Sequence, residues 1–190
     1  MKRYALLLLA MFVPFALYHC DPAGGDNGGI TGPYVSQIAS FCVSSGDLTG
    51  WQTDGECYSY TGNPDSLFNY IDGGSSTYTT NNLEKGVIQS LTDGNTGTIS
   101  GIMAMDFKTN TNAVAMLNDM KQNYSPYGTH PDWNESQVIT SEVLDGMMYM
   151  AVFEQYYFEF SVANIGDSTA THAVAKQLID WYLAKIASVK

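Results

Sequence analysis

The sequence predicts an α+β domain, an antiparallel β-sheet packed by helices, forming a single domain over residues 34–190. Three observations predict it. Strand-like segments arrive in runs, 87–91 with 98–107 and then 137–143, 147–153 and 156–163, joined by short turns and not by helical crossovers. Helical periodicity is confined to separate stretches, chiefly 111–122 and 167–187. At 190 residues and 45% hydrophobic, the chain can build one real core, and it shows no internal repeat and no second domain.

Taken in order, residues 34–43 carry apolar groups at Val35, Ile38, Ala39, Phe41 and Cys42, a weak helical pattern. Residues 44–50 form a turn region, Trp51 starts an extended stretch, and 56–61 alternates aromatic and polar side chains as a half-buried strand does. A short helix follows. Asn63 is its N-cap, Pro64 suits the first helical position, and Asp65 sits where the helix dipole favours an acid. Leu67, Phe68 and Ile71 give it one apolar face, and Gly73 is placed to end it and hand the chain to the sheet. So short a helix depends on tertiary packing.

The strands at 87–91 and 98–107 flank the turn Asp93-Gly94-Asn95-Thr96-Gly97. An EF-hand reading of that turn fails, because Gly97 stands at the fifth position and Ala104 where a bidentate Glu is required. The helix at 111–122 turns Ala113, Met116, Leu117 and Met120 to one face, and Ser125-Pro126 closes it. A loop runs through Trp133 to a three-stranded meander with an Asp145-Gly146 turn and a tight Glu154-Gln155 turn. In its last strand Phe158, Phe160 and Val162 alternate with Glu159 and Ser161, which predicts one buried and one wet face. Asp167 caps the final helix, whose expected inward residues are Val174, Leu178, Trp181 and Ile186.

The first nineteen residues are a different kind of object. Lys2 and Arg3 precede an apolar run over 4–17, too short for a comfortable membrane span and laid out as a secretory signal, with a retained anchor helix as the alternative. The run ends Leu17-Tyr18-His19-Cys20, which resembles the lipobox of bacterial lipoproteins, although Tyr18 and His19 stand where that family prefers small residues. The resemblance implies a diacylglycerol on Cys20, cleavage just before it, and attachment to a membrane of the cell envelope through acyl chains; otherwise Cys20 is an ordinary cysteine of a secreted protein. Asp21 resembles the second-position residue that keeps some lipoproteins at the inner membrane. Three cysteines are an awkward number for an exported chain; with Cys20 lipidated, Cys42 and Cys57 remain as a pair that an oxidising compartment lets bridge. Residues 20–33 then comprise the lipidated Cys and a flexible Gly-rich tether.

Loss of Lys2 and Arg3 removes no acid, so six basic against nineteen acidic residues leave a mature charge of −13. Such a surface argues against nucleic acid and against electrostatic adhesion to anionic lipid. Attachment falls to the acyl chains, at about 0.8 kcal/mol per buried methylene.

Gly50-Trp51, then Tyr70-Ile71-Asp72-Gly73-Gly74-Ser75 with Tyr78, resembles an uncharacterised family of bacterial envelope proteins, in which a Gly-Trp precedes a helix ending Tyr-Ile-Asn-Gly-Gly-Ala. The resemblance would extend over residues 50–187 and implies location and fold, not an activity. The order of elements is also loosely similar to the PsbP-like fold.

Among candidate sites, Asp72-Gly73-Gly74-Ser75-Ser76 admits an anion- or ligand-binding turn, but an acid in the turn repels an anion and a helix stop explains the same residues, so the motif residues Tyr70, Asp72, Gly73 and Gly74 are read as structural. The expected ligand-binding residues are Tyr124, Tyr127, His130 and Trp133, which crowd one loop, aromatic groups on loops being suited to stacking on ring-bearing ligands. The alternative is that they fold back on the sheet edge. No catalytic residue, cofactor or metal site is expected: His130 and His172 lack metal-ligand spacing, nucleophile and phosphate motifs are missing, and Glu154 with Glu159 reads as a solvated pair. Two functions follow: a non-catalytic, lipid-anchored module binding an envelope protein or small ligand, or a small envelope hydrolase using acidic residues with His130.

Overall fold

The structure is a computed structural model describing residues 33–60, 67, 71, 74–93, 99–144, 146–163 and 168–190. The signal-like segment, Cys20 and the tether up to residue 32 lie outside the described residues, as do Asn63, Pro64, Asp65, Phe68, Tyr70, Asp72, Gly73, the turn at 94–98, Asp145 and Asp167.

Seven strands make one antiparallel sheet: β1 (Trp51–Tyr60), β2 (Lys85–Asp93), β3 (Ile99–Asp106), β4 (Gly128–Thr129), β5 (Val138–Val143), β6 (Gly146–Phe153) and β7 (Tyr156–Ala163). Their order is β1-β2-β3-β7-β6-β5-β4, so the hairpin β2–β3 and the meander β5–β6–β7 join where β3 pairs with β7. The helices with described bounds are α1 (Ser75–Thr80), α2 (Asn110–Asn123) and α3 (Ser168–Ser188), Leu67 and Ile71 are also helical, and a 3-10 turn spans Ile38–Phe41. The α+β expectation and its antiparallel sheet are therefore found, with Tyr34–Lys190 as one compact unit.

Both faces of the sheet are covered. On one, the cross-strand row Val87, Ala104, Phe158, Ala151 and Val138 is buried beneath α3 and the 3-10 turn. Phe41, from that turn, stacks within 6.0 Å of Phe158 and Tyr182 and 4.7 Å from Tyr156. Burying one such ring is worth about 1.5–3 kcal/mol, enough to hold a single turn that has little stability of its own. The disulfide Cys42–Cys57 ties it to β1, and Gln89 bonds both the N–H and the C=O of Val43. On the opposite face, α1 and α2 bury Tyr78, Met116, Leu117 and Met120 against Met105, Met150, Val152 and Tyr157.

These two layers correct four expectations. The 34–43 pattern produces one 3-10 turn, because its apolar residues need only wedge against a preformed aromatic core. After the glycine pair the chain continues in α1, where a strand was expected, since Tyr78 gains more from burial under α2 than from an exposed sheet edge. The polar side of β7 is not wet: Glu159 points into the second layer. On α3 the inward face is Thr171, Ala175, Leu178, Ile179, Tyr182 and Ile186, with Val174 and Trp181 only half-buried.

The N-terminal edge of the domain is fastened by a buried carboxylate. Asp106, at the end of β3, accepts bonds from the Tyr34 and Ser36 hydroxyls and, at 2.8 Å, from the Lys108 N–H. Asp106 is fully buried, which explains why three donors converge on it.

Candidate functional site

The cross-strand row on the α1/α2 face reads Ile88, Met103, Glu159, Met150, Ile139. One carboxylate thus occupies the middle of an otherwise apolar row, on a central strand. Such a position is costly unless the charge is hydrogen-bonded. Two tyrosines supply the bonds: the Tyr157 hydroxyl, two residues along the same strand face, donates to Oε2 at 2.6 Å, and the Tyr78 hydroxyl, from α1, donates to the same oxygen at 2.9 Å. Tyr78 and Tyr157 meet edge-on with ring centroids 6.1 Å apart.

A cavity of about 580 Å³ opens over this carboxylate. Its walls are Ile71 and Gly74 before α1, Thr77 and Tyr78 in α1, Met103 on β3, and Met120, Asn123 and Tyr124 at the end of α2. The volume lies within the range of small-molecule sites, and apolar walls around a few convergent polar groups are their usual make-up. Burial pushes the Glu159 carboxyl above its ordinary 4.5, while the bonds from Tyr157 and Tyr78 pull it down. Burial first, and then the Glu159 charge, hold the Tyr78, Tyr157 and Tyr124 hydroxyls above 10.0, so all three stay protonated at neutral pH. The arrangement is an acceptor held in a hydrophobic pocket with its donors fixed. It can bind and orient a ligand, and among its described residues no nucleophile is paired with a base.

The expected aromatic loop divides around the sheet edge. Tyr124 lines the cavity, and Tyr127 packs beside the same core, its hydroxyl donating to Glu135 at 3.4 Å. His130 and Trp133 lie on the other side, against the α3 core. The loop therefore offers no single stacking shelf; β4 pairs Gly128 with Thr140, and the aromatic groups fold back on the sheet. His130 is 2% exposed, with its ring 4.5 Å from Trp133 and 4.8 Å from His172. Its Nδ1 accepts the Asp132 N–H at 3.1 Å, so Nε2 carries the proton and donates to the His172 carbonyl at 3.1 Å. Both nitrogens are committed to backbone groups. The Tyr149 hydroxyl and His172 Nδ1 share a bond of 3.0 Å. Burial, followed by neighbouring His130, lowers the His172 pKa from 6.5 against the pull of Asp132.

Glu154 and Glu159 are not a pair. Glu154 sits at the exposed β6–β7 turn with Lys190 as its ion partner, whereas Glu159 lies in the cavity. Cys42 and Cys57 are bridged, with Cα atoms 5.9 Å apart. Of the Gly-Trp element, Gly50 turns the chain at φ 86° and Trp51 is buried, its indole N–H donating to Gln177 on α3 at 3.2 Å. Gly74 is helical at φ −80° and lines the cavity, as Ile71 and Tyr78 do; Tyr70, Asp72 and Gly73 lie outside the described residues. Sequence reasoning missed Glu159, Tyr78 and Tyr157 as a set. The available signal was an acid inside Tyr156-Tyr157-Phe158-Glu159-Phe160, the most aromatic strand of the chain.

Comparison with known proteins adds a likeness of shape. A solved structure resembles this chain. It is the extracellular domain of PknH from Mycobacterium tuberculosis, with 12% identity and a TM-score of 0.49 over 75% of this chain and 93% of that one. No family model and no curated protein matches the chain. Among the described residues there is no group of three or more His, Cys, Asp or Glu able to hold a metal, and no helix long and apolar enough to cross a membrane.

Proposed function

We propose that the chain is a lipid-anchored bacterial envelope protein whose domain binds a small ligand in the Glu159 cavity without transforming it. The observation that carries the binding role is the lone carboxylate of the row Ile88, Met103, Glu159, Met150, Ile139, open to a cavity walled by Tyr78, Tyr124 and two methionines. A fold gains nothing in stability from such a group compared with an apolar residue of the same shape, so its presence is better explained by a ligand than by packing.

The envelope location is supported by the signal-like start, by Cys20 in its lipobox-like setting and by the Gly-rich tether. The Cys42–Cys57 bridge suits an oxidising compartment. The non-catalytic reading is supported over a hydrolase by His130, because a base with both nitrogens bonded to backbone has none free to take a substrate proton.

Two experiments test the two halves. Metabolic labelling with a fatty acid is expected to mark the wild type and not Cys20→Ser; label retained by the variant overturns the anchor. Thermal-shift screening of the detergent-solubilised full chain against small molecules is expected to give stabilising hits that Thr77→Trp, which fills the cavity, abolishes. Hits that survive Thr77→Trp place the binding elsewhere and overturn the cavity as the site.

A further inference from the structure

Resting on the reading of the Glu159 cavity as a binding site, we propose that it selects a small organic cation, a primary ammonium group carried on an apolar body. The ammonium would bond the Glu159 carboxylate, and the body would pack against Met103, Met120 and Tyr124.

The described walls of the cavity contain one acid and no Lys, Arg or His. The only formal charge they offer a ligand is therefore negative, and an anion entering the cavity would meet it without compensation. The Tyr157 and Tyr78 hydroxyls both donate to Oε2, so they hold the carboxylate in place without neutralising it. Two donated bonds leave acceptor capacity on the group, since an ionised carboxylate has about four lone-pair sites. A ligand N–H suits that capacity, and a charged N–H suits it best, because charge-assisted bonds are about twice as strong as neutral ones. This favours a primary ammonium over a quaternary one, which has no N–H to give.

The rest of the wall agrees. Tyr78 and Tyr124 line the wall with aromatic rings, a residue type that attracts cations, and the thioethers of Met103 and Met120 adapt to an irregular apolar body. Beyond the cavity, nineteen acids against eight bases across the sequence raise the local concentration of cations and lower that of anions.

Three probes that share one ring separate charge from the apolar body: cyclohexylammonium, cyclohexanol and cyclohexanecarboxylate, titrated calorimetrically at pH 8 into the full chain in nonionic detergent. The expected result is binding in the order ammonium, alcohol, carboxylate, with the ammonium favoured over the alcohol by about tenfold or more, the usual return of one charged hydrogen bond. In Glu159→Gln the advantage of the ammonium over cyclohexanol should fall away, because the amide offers no charge to either probe. Met103→Lys provides a second variant. Its side chain, directly across from Glu159 in the β3–β7 register, would place a tethered ammonium on the carboxylate and abolish binding of the free one. Equal affinity for ammonium and alcohol, or preference for the carboxylate probe, overturns the cation proposal while leaving a ligand cavity. Failure of all three probes to bind overturns both the cation proposal and the cavity reading.

Discussion

Glu159→Gln should make this protein more stable at pH 8 and leave it nearly unchanged at pH 4. The wild-type carboxylate keeps two tyrosine donors, at 2.6 and 2.9 Å. Replacing a charged acceptor by a neutral amide oxygen weakens each bond by about 1 kcal/mol, so roughly 2 kcal/mol is lost. Against this, removing a buried charge relieves a desolvation cost of several kcal/mol. Desolvation is the largest influence on Glu159 and raises its pKa in the fold, so the second quantity exceeds the first. The net gain is about 1–2 kcal/mol, or ~2–8 °C in Tm for a domain of this size. The pH dependence has a definite sign. A carboxyl with its pKa raised above 4.5 by folding contributes stability that is full below 4.5 and is lost as pH rises through the folded value. The variant lacks that loss. Melting of both proteins at several pH values, followed by circular dichroism, reads the difference directly. A lower Tm for the variant at pH 8, or the same increment at pH 4 and pH 8, would refute the reasoning.

Other perturbations probe the supports of the fold. Cys42→Ser with Cys57→Ser opens a bridge between residues 15 apart and should cost about 3 kcal/mol by denaturant melting; reducing agent should then shift the wild type but not the double variant. Asp106→Asn places an amide where a fully buried carboxylate accepts from Tyr34, Ser36 and the Lys108 N–H, and should cost roughly 2–4 kcal/mol, with faster proteolysis near Tyr34 as a second readout. Gly146→Ala would bring a Cβ to 2.1 Å from the Val162 carbonyl oxygen, which backbone must move to admit, so a loss of about 2 kcal/mol or more is expected in chemical denaturation. His172 works in the opposite direction from Glu159. Its pKa is held below 6.5, so its contribution is present above 6.5 and lost as pH falls through the lowered value; His172→Gln should show a smaller drop in Tm on acidification than the wild type.

Much of this architecture was legible in the residues because it obeys local rules. The strands of the meander lie at 138–143, 146–153 and 156–163, within a residue of where alternation and turn chemistry put them. The helix with Ala113, Met116, Leu117 and Met120 inward was readable from its period, down to those four buried residues. What escaped was non-local. Alternation in β7 gives the two faces of a strand, but whether the second face meets water depends on helices elsewhere in the chain. An acid on that face is the ordinary mark of a wet surface, so Glu159 was read by the commoner rule. The rule fails because α1 and α2, about eighty and forty residues earlier in the sequence, close over it. The aromatic loop failed for a related reason: four ring-bearing residues spaced three apart in sequence straddle a sheet edge, and an edge sends neighbours to opposite faces.

The two layers divide the work differently. The α3 side interlocks Phe41, Phe158, Tyr182 and Trp51 through ring stacking and one indole hydrogen bond, and the disulfide beside it fixes the 3-10 turn. Its histidines are fully bonded where they are most buried. The α1/α2 side is lined with methionines, which pack adaptably, and contains the one carboxylate placed against the apolar trend of its own row. A rigid layer backing a deformable one is what a binding module needs, since the sheet must hold Glu159 still while the wall opposite adjusts to a ligand. The short α1 is the natural place for that adjustment. It has six residues, no side-chain cap at its N-terminus, and is held by Tyr78, whose hydroxyl bonds the carboxylate itself, and by its C-cap Asn81, which donates to Asp119 on α2 at 2.7 Å. A ligand that competes with Tyr78 for Glu159 would therefore loosen α1, and one that bonds the spare lone pairs would tighten it. Amide hydrogen exchange over Ser75–Thr80, measured with and without an ammonium probe, distinguishes these cases, and slowed exchange is the expected result.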